Sequence, residues 1–203
     1  MIAHPFASAP KNEQENEPRG LEVVAPAAVD VARLRRVVVV GTYGAGKSTL
    51  AAELGGALGI PVHHLDALRW DHGWKLLPRP EWEALLDRIV AEETWITDGN
   101  FEGTLERRLL RADSILVLDA PLAVSLWRTV RRRLSRRERP DLAPGLEEKL
   151  NLTLLRLFAR YRREVRPQLL ELVRQHADGR QVIVLRRRAD VRAFLDAVRS
   201  QLL

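Results

Sequence analysis

The octapeptide Gly41–Ser48 fits the pattern G-x-x-x-x-G-K-[ST] at every defined position, and no other feature constrains the fold of this chain as strongly. The apolar, β-branched run 37–40 stands just before it and predicts a buried strand. Good helix formers occupy 49–54, just after it. A glycine-rich turn with a chance Lys-Ser pair would not need this flanking strand and helix. The motif therefore predicts an α/β fold that binds phosphates.

The residue types of this loop determine its expected chemistry. Glycines let backbone N–H groups and the helix N-terminus approach an anion closely, because no side chain stands in the way. We expect Lys47 to reach the β- and γ-phosphates of a nucleoside triphosphate and the Ser48 hydroxyl to take a Mg²⁺ position. ATP and Mg²⁺ are the expected cofactors, and the predicted nucleotide-binding residues are Gly41, Tyr43, Gly44, Ala45, Gly46, Lys47, Ser48 and Thr49.

The length of 203 residues suits one α/β domain with a sizeable core. The chain has no cysteine, so it can form neither a disulfide nor a thiolate metal site. It shows no signal-peptide pattern and no apolar run near the roughly 20 residues of a membrane span, which agrees with a cytoplasmic protein. Prolines among polar residues predict a disordered or loosely attached tail over 1–34, followed by one domain over 35–203.

Strands and helices are predicted to alternate after the loop. Apolar runs predict further strands at 60–65, 94–97, 114–118 and 181–185, with helical spacing between them. Five such strands imply a parallel sheet covered by helices on both faces, which is an α/β three-layer αβα sandwich. Ligands of these sheets bind at the carboxyl ends of the strands. We therefore expect one rim to hold the loop and three strand-end carboxylates, Asp66, Asp98 and Asp119.

The net charge of +6 is unevenly distributed along the chain. Residues 1–120 hold 13 Lys and Arg against 18 Asp and Glu, whereas residues 121–203 hold 20 against 9. Nearly all of this basic charge is arginine, which suits bidentate phosphate recognition. Such a region is able to bind nucleic acid or to hold a polyphosphate, and solvated helix faces account for part of the charge.

Signatures of several nucleotide-binding classes are missing from the sequence. Regulatory GTPases carry a guanine-reading Asn-Lys-x-Asp segment and transporter-type ATPases a Ser-Gly-Gly signature, and this sequence contains neither. Motor and helicase domains need a longer chain. The class that remains is a compact P-loop kinase, in which a second small molecule accepts the γ-phosphoryl group.

Three segments carry a family resemblance: LGIPVHHLDALRW at 58–70, Gly73-Trp74, and TWITDGNF at 94–101. Together they resemble the adenylate-kinase-related proteins named DNA topology modulation proteins, over about 36–198. More distantly, Asp98-Gly99 looks like the Asp-Gly that follows the third strand of nucleoside monophosphate kinases. The resemblance implies ATP binding and phosphoryl transfer to an acceptor that the family name does not reveal.

The same resemblance implies an adenylate kinase-like P-loop NTPase fold with an acceptor-side insert at about 67–93 and a helical, arginine-rich lid at about 128–160. The sequence departs from the pattern at 100–102, where Asn-Phe-Glu stands in place of Phe-Pro-Arg. The arginine that grips an acceptor phosphate is therefore missing from its expected place. Arg107, Arg108 and Arg111, in the following helix, are the candidates to replace it.

Three carboxylates receive different expected roles. Asp98 is the first choice for a carboxylate that holds Mg²⁺ through water, with a helix cap or buried turn residue as the alternative. Asp66 would face the acceptor and orient a hydroxyl or take its proton, unless it is a structural turn residue. Asp119 is expected to act as a turn and capping residue. A metal site built from His63, His64 and Asp66 is not favoured, because neighbouring strand residues point to opposite faces.

Arginines and tryptophans complete the predicted site. By resemblance, Arg128 and Arg132 lead into the lid, where Arg128 would stack on adenine and Arg132 would reach a phosphate. The spacing of Arg156, Arg160 and Arg163 predicts one stripe on a later helix, able to neutralise the transferring phosphoryl group. A cluster of tryptophans either stacks on a ring of the acceptor or forms the core of the insert, namely Trp70, Trp74 and Trp82; two others, Trp95 and Trp127, are expected in the core.

The predicted function is a kinase that transfers the γ-phosphoryl group of Mg-ATP to a nucleotide or a small hydroxyl metabolite. The residues expected to take part in catalysis are Lys47, Asp66, Asp98, Arg132, Arg160 and Arg163, with Ser48 and Asp98 at the metal. The alternatives are a nucleotide-dependent regulatory or DNA-associated protein and a non-transferring ATPase. Nucleic acid is the less favoured partner, since no DNA-binding module is recognisable.

Overall fold

The computed structural model describes residues 22–69, 76–134 and 160–203, in which strands and helices alternate. The strands are β1 (Arg36–Gly41), β2 (Val62–His64), β3 (Trp95–Asp98), β4 (Ser114–Leu118) and β5 (Gln181–Leu185). The helices are α1 (Lys47–Leu58), α2 (Leu65–Leu68), α3 (Arg79–Ala91), α4 (Glu102–Arg111), α5 (Leu122–Leu134), α6 (Arg166–Gln175) and α7 (Arg188–Gln201). A π-helical turn, Tyr161–Val165, leads into α6.

All five strands are parallel and follow the order β2-β3-β1-β4-β5 across the sheet. The strand before the loop, β1, is central, since Val39 pairs with Asp98 of β3 on one side and with Leu116 of β4 on the other. The carboxyl ends of the strands therefore share one edge of the sheet, which we call the site edge. The predicted five-stranded parallel sheet is confirmed.

Side-chain alternation along β1 explains why the sheet has a helical layer on each face. Val37 and Val39 belong to a buried cluster shared with α1 and α7. Val38 and Val40 belong to a second cluster, shared with α3, α4 and α6. A strand that is apolar on both faces is stable only when both are covered. The predicted three-layer αβα sandwich of a P-loop kinase is therefore the observed architecture.

Part of the predicted tail is packed against the domain. Residues 22–34 include two short 3₁₀ turns, Pro26–Ala28 and Val31–Arg33, and bury Val29. The side-chain oxygen of Gln181 accepts a hydrogen bond from the Asp30 N–H at 2.7 Å. These residues are attached to β5 and α7, unlike the loose segment that the sequence predicted over 1–34.

The segments predicted to form an acceptor-side insert and a lid are described in part. Trp82 of α3 is buried with Leu65 and Leu86, and its ring lies 5.3 Å from that of Phe101. This tryptophan is therefore a core residue of the insert. The remainder of the predicted stacking cluster, at 70–75, and the lid over 135–159 lie outside the described residues.

The two tryptophans expected in the core have different outcomes. Trp95 at the start of β3 is fully buried, as predicted. The prediction for Trp127 is wrong, because its side chain is 56% exposed on α5. The face of α5 that packs inward carries Ser125 and Thr129, both buried, so Trp127 points outward. In the described residues, no helix combines the length and apolar character needed to cross a membrane.

Candidate active site at the carboxyl ends of the strands

The phosphate loop, residues 41–48, depends on three glycines with positive φ angles: Gly41 at 133°, Gly44 at 71° and Gly46 at 100°. A Cβ atom on Gly41 would collide with the backbone of β4, and one on Gly44 would collide with Thr129. A Cβ on Gly46 would meet no protein atom within 4 Å. Close packing thus requires the first two glycines, while the third borders open space at the N-terminus of α1.

Lys47 is the first residue of α1, and its ammonium group turns back over the loop. Nζ donates to the carbonyl oxygens of Gly41 and Thr42, each at 3.1 Å, and lies 5.6 Å from the ring centroid of Tyr43. The loop therefore carries a positive charge beside the helix N-terminus. Backbone N–H groups, this lysine and the Ser48 hydroxyl form a donor set that fits a nucleoside triphosphate with Mg²⁺.

Asn100 holds the start of the loop from the end of β3. Its Oδ1 accepts a hydrogen bond from the Gly41 N–H at 2.9 Å, and its Nδ2 donates to the Gly41 carbonyl at 3.0 Å. These two bonds continue the pairing of β1 with β3, which ends in the backbone at Val39 and Asp98. Sequence reasoning regarded Asn100 only as a departure from the adenylate kinase pattern, and missed this function.

Arg108 of α4 is fully buried beneath the same turn. Its guanidinium donates to the carbonyl oxygens of Gly99 and Asn100, at 2.9 and 2.6 Å. The backbone there is constrained, since Phe101 has φ 37° and is the only non-glycine residue with positive φ in the described part of the chain. The expectation that Arg108 grips an acceptor phosphate is therefore wrong.

The side chain of the neighbouring Arg107 is also held away from the site edge. It pairs with two carboxylates of α3, those of Glu83 at 3.0 Å and Asp87 at 3.1 Å. Arg111, the third candidate, is the last residue of α4, which runs back toward the amino-terminal ends of the strands. None of these three arginines replaces the missing phosphate-gripping residue.

Asp98 forms a hydrogen bond with His64 that the sequence did not predict. The carboxylate is buried at the end of β3, and its Oδ1 lies 2.8 Å from Nδ1 of His64. Parallel pairing places the two residues directly opposite each other, at the ends of β2 and β3. The buried aspartate is thus oriented by a half-buried histidine. His63 points elsewhere and pairs with Glu92 at 3.1 Å.

Asp66 lies close to this pair along the chain. The sequence predicted that it ends β2, but the strand stops at His64 and Asp66 is in the first turn of α2. Its side chain is exposed at the site edge. Among the described residues, no three histidine or carboxylate side chains come together as a metal site. A magnesium ion held mainly through water, by Ser48 and Asp98, fits this donor set better than a closed protein cage.

On the other side of the loop, Asp119 forms a bidentate ion pair with Arg166. Both nitrogen–oxygen distances are 2.7 Å, and both side chains are largely buried. The hydrogen bonds that Arg166 donates to the carboxylate raise the pKa of Arg166. Asp119 therefore attaches α6 to the end of β4, a contact that its predicted role as a turn and capping residue did not include. No pattern around Arg166 distinguished it from its many arginine neighbours.

The arginines that the sequence predicted in and after the lid lie in different environments. Nη1 of Arg128 donates to the Ala45 carbonyl of the loop at 2.9 Å, and burial together with the charge of Arg188 lowers the Arg128 pKa. Arg160 is exposed and pairs with Glu164 at 3.1 Å. Arg163 is exposed as well. The side chain of Arg132, and the whole of Arg156, lie outside the described part of the chain.

No family model and no curated protein matches this chain. Among solved structures, a shikimate kinase from Acinetobacter baumannii in complex with shikimate matches 83% of this chain and 93% of its own, with TM-score 0.51 and 18% identity. A gluconokinase from Sinorhizobium meliloti 1021 matches 84% and 94% of the two chains, with TM-score 0.48 and 19% identity. The likeness to the first is one of fold. This chain has the α/β fold of the P-loop kinases.

Proposed function

We propose that this protein is a cytoplasmic small-molecule kinase that transfers the γ-phosphoryl group of Mg-ATP to a hydroxyl group of a nucleotide or small metabolite. The observation that carries the proposal is the juxtaposition, at one sheet edge, of the glycine loop with Lys47, the carboxylate of Asp98 at the end of β3, and the carboxylate of Asp66 in the short helix that follows β2. The fold shared with a shikimate kinase supports a small acceptor. We also propose that the chain is related to the DNA topology modulation proteins.

On the donor side, the chain supplies positive charge and fixed N–H groups. Loop N–H groups and the N-terminus of α1 would bind the β- and γ-phosphates, and Lys47 would neutralise charge that spreads over the transferring group. Ser48 would bind Mg²⁺ directly and Asp98 through water, with His64 fixing the orientation of that carboxylate. Bound magnesium supplies charge neutralisation of the phosphate oxygens.

On the acceptor side, Asp66 would orient the attacking hydroxyl and accept its proton. The acceptor oxygen then forms a bond to the γ-phosphorus, while the bond from that phosphorus to the bridging oxygen breaks and ADP leaves. Arg128, Arg132, Arg160 and Arg163 would stabilise the nucleotide and the charge of the transition state from the lid side. The segments at about 67–93 and 128–160 are the proposed acceptor insert and lid.

The test is an acceptor screen with ATP labelled at its γ-phosphate. Nucleosides, nucleoside monophosphates, sugars and hydroxy acids are supplied in parallel, and the wild-type protein is compared with Lys47→Met. We expect one class to be labelled by the wild-type protein only. The variant should keep its fold and lose at least about tenfold in ATP affinity, because a charged contact to phosphate is worth about 1.5–3 kcal/mol.

Two results would contradict the proposal. Equal ATP affinity in Lys47→Met and wild type would show that the loop is not the nucleotide site. Salt-dependent DNA binding that persists in excess ATP, with no acceptor labelled, would favour a regulatory protein.

A further inference from the structure

A buried tyrosine contacts the phosphate loop from the π-helical turn that precedes α6. Tyr161 is 2% exposed, and its hydroxyl lies beside the side chain of Thr42. Its ring meets the ring of Tyr43 edge-on, with centroids 5.2 Å apart and planes inclined at 67°. Burial raises the pKa of the Tyr161 hydroxyl above its usual value. One side chain thus touches two successive residues of the loop.

The π-helical turn explains how Tyr161 reaches the loop while Arg166 reaches Asp119. In an α-helix, residues five apart point in different directions, because one turn takes 3.6 residues. Here the Arg166 N–H donates to the Tyr161 carbonyl, and this i to i+5 bond widens the turn until the two residues share a face. The π-helical turn is therefore anchored at two points. Tyr161 attaches it to the phosphate loop, and Arg166 attaches it to the end of β4.

Tyr43 connects this contact to the lysine of the loop. The Lys47 ammonium lies 5.6 Å from the Tyr43 ring centroid, within the range in which a cation is attracted to an aromatic face. The same ammonium donates to the carbonyl of Thr42. Both residues that Tyr161 contacts are therefore also contacts of Lys47.

We propose that Tyr161 is a positioning residue for Lys47, acting through Tyr43 and Thr42. The inference rests on the proposed function insofar as it takes Lys47 to be the lysine that binds the triphosphate. Arg160 and Arg163 belong to the same stretch of helix as Tyr161. The contact thus holds the phosphate loop at a fixed position relative to the arginines that follow the lid. A tyrosine that only filled the core would not need an edge-on aromatic partner beside the lysine.

The first test measures the chemical reactivity of Lys47 without any nucleotide. An amine-reactive acylating reagent is applied to the folded protein, and the rate at which Lys47 is modified is followed by mass spectrometry. We expect Tyr161→Leu and Tyr43→Leu to accelerate the modification severalfold, and the double variant to resemble either single one. Phe194→Leu, which removes a buried ring from α7, is the matched control and should react at the wild-type rate.

The second test measures the Kd of Mg-ATP for the same proteins. We expect an increase of about tenfold for Tyr161→Leu and for Tyr43→Leu, and no further increase for the double variant. Tyr161→Phe keeps the edge-on ring and should change the Kd by less than about threefold. Should Tyr161→Leu fail to fold, Tyr161→Met is used in its place with the same expectations.

The outcomes of these tests distinguish the positioning role of Tyr161 from the proposed function. Wild-type reactivity of Lys47 in Tyr161→Leu, or independent effects that multiply in the double variant, would overturn the positioning role. A wild-type protein that binds no ATP, but whose Lys47 becomes more reactive in the variants, would keep the positioning role and reject the proposed function.

Discussion

The proposed donor and acceptor sides of the site are built in different ways. The phosphate loop is a continuous segment, 41–48, and contacts from β3, α5 and the turn at 161–165 fix its conformation. The proposed acceptor side is centred on Asp66 in the short helix α2, two residues after the end of β2, where His64 pairs with Asp98 of β3. The comparison teaches that the donor side carries its chemistry in a local motif, while the acceptor side acquires its chemistry from the sheet. Substitutions on one side should therefore change the affinity for ATP, and substitutions on the other side should change the rate of phosphoryl transfer.

The largest effect is expected from Asp66→Asn. Loss of the proposed base should lower the transfer rate by about 100-fold or more, and the Kd of ATP should stay within about twofold. Initial rates with the acceptor found in the screen, together with calorimetric titration of ATP, check both values. Asp196→Asn, at an exposed position of α7, serves as the matched control. An equal loss of ATP affinity would show that Asp66 belongs to the donor side.

Arg108→Met should give the next largest effect, on stability. Two buried carbonyl groups lose a charged donor, so we expect the free energy of unfolding to fall by about 3 kcal/mol. Arg107→Met is the matched control, because its ion pairs lie at the surface and should contribute less than about 1 kcal/mol. Urea titration of both variants measures the difference. Similar losses of unfolding free energy in the two variants would show that burial of Arg108 does not determine its contribution to stability.

Asn100→Ala should weaken the donor side by a smaller amount. The variant loses both hydrogen bonds to Gly41, so we expect a loss of about 1–2 kcal/mol in stability and about tenfold in ATP affinity. Asn100→Asp keeps an acceptor for the Gly41 N–H but sets a carboxylate against the Gly41 carbonyl, and should bind ATP more weakly still. Affinity equal to wild type in both variants would mean that the loop holds its conformation without β3.

The smallest effect is expected from Asp113→Asn, at the opposite edge of the sheet. Hydrogen bonding and the charge of Arg36 lower the pKa of Asp113, so its stabilising effect is present above the ordinary carboxyl pKa. It is lost as the pH falls through the lowered value, below about pH 4. Because the pair is partly exposed, the loss at neutral pH should be under about 1 kcal/mol. Thermal unfolding against pH measures this; ATP affinity should not change.

Much of the fold follows from the sequence because its signals are local. The apolar runs predict all five strands, since strands buried on both faces need no polar alternation. The bounds of β2 differ because helical hydrogen bonding begins at Leu65, so Asp66 enters a helix. Trp127 was wrongly predicted to be buried. The buried face of α5 is the one that lies close to Gly44, and only small side chains such as that of Ser125 fit there. That approach joins distant parts of the chain and has no local signature.

The site could be predicted only where one motif contains it. The loop joins β1 to α1, as its spacing and flanking segments predict. The contacts His64–Asp98, Asn100–Gly41 and Tyr161–Tyr43 join residues that are between 34 and 118 positions apart in sequence. Strand order decides which of these residues meet, and strand order was not predicted.

The segment at 22–34 has a consequence for how the molecule behaves toward its own copies. The outer side of β5 would be an open sheet edge, yet the Val24 N–H donates to the carbonyl of Val182 at 2.8 Å and covers part of it. An uncovered edge strand offers its backbone to other chains. A protein shortened to begin at residue 35 would therefore tend to associate through β5, and its solubility would fall even if its loop still bound nucleotide.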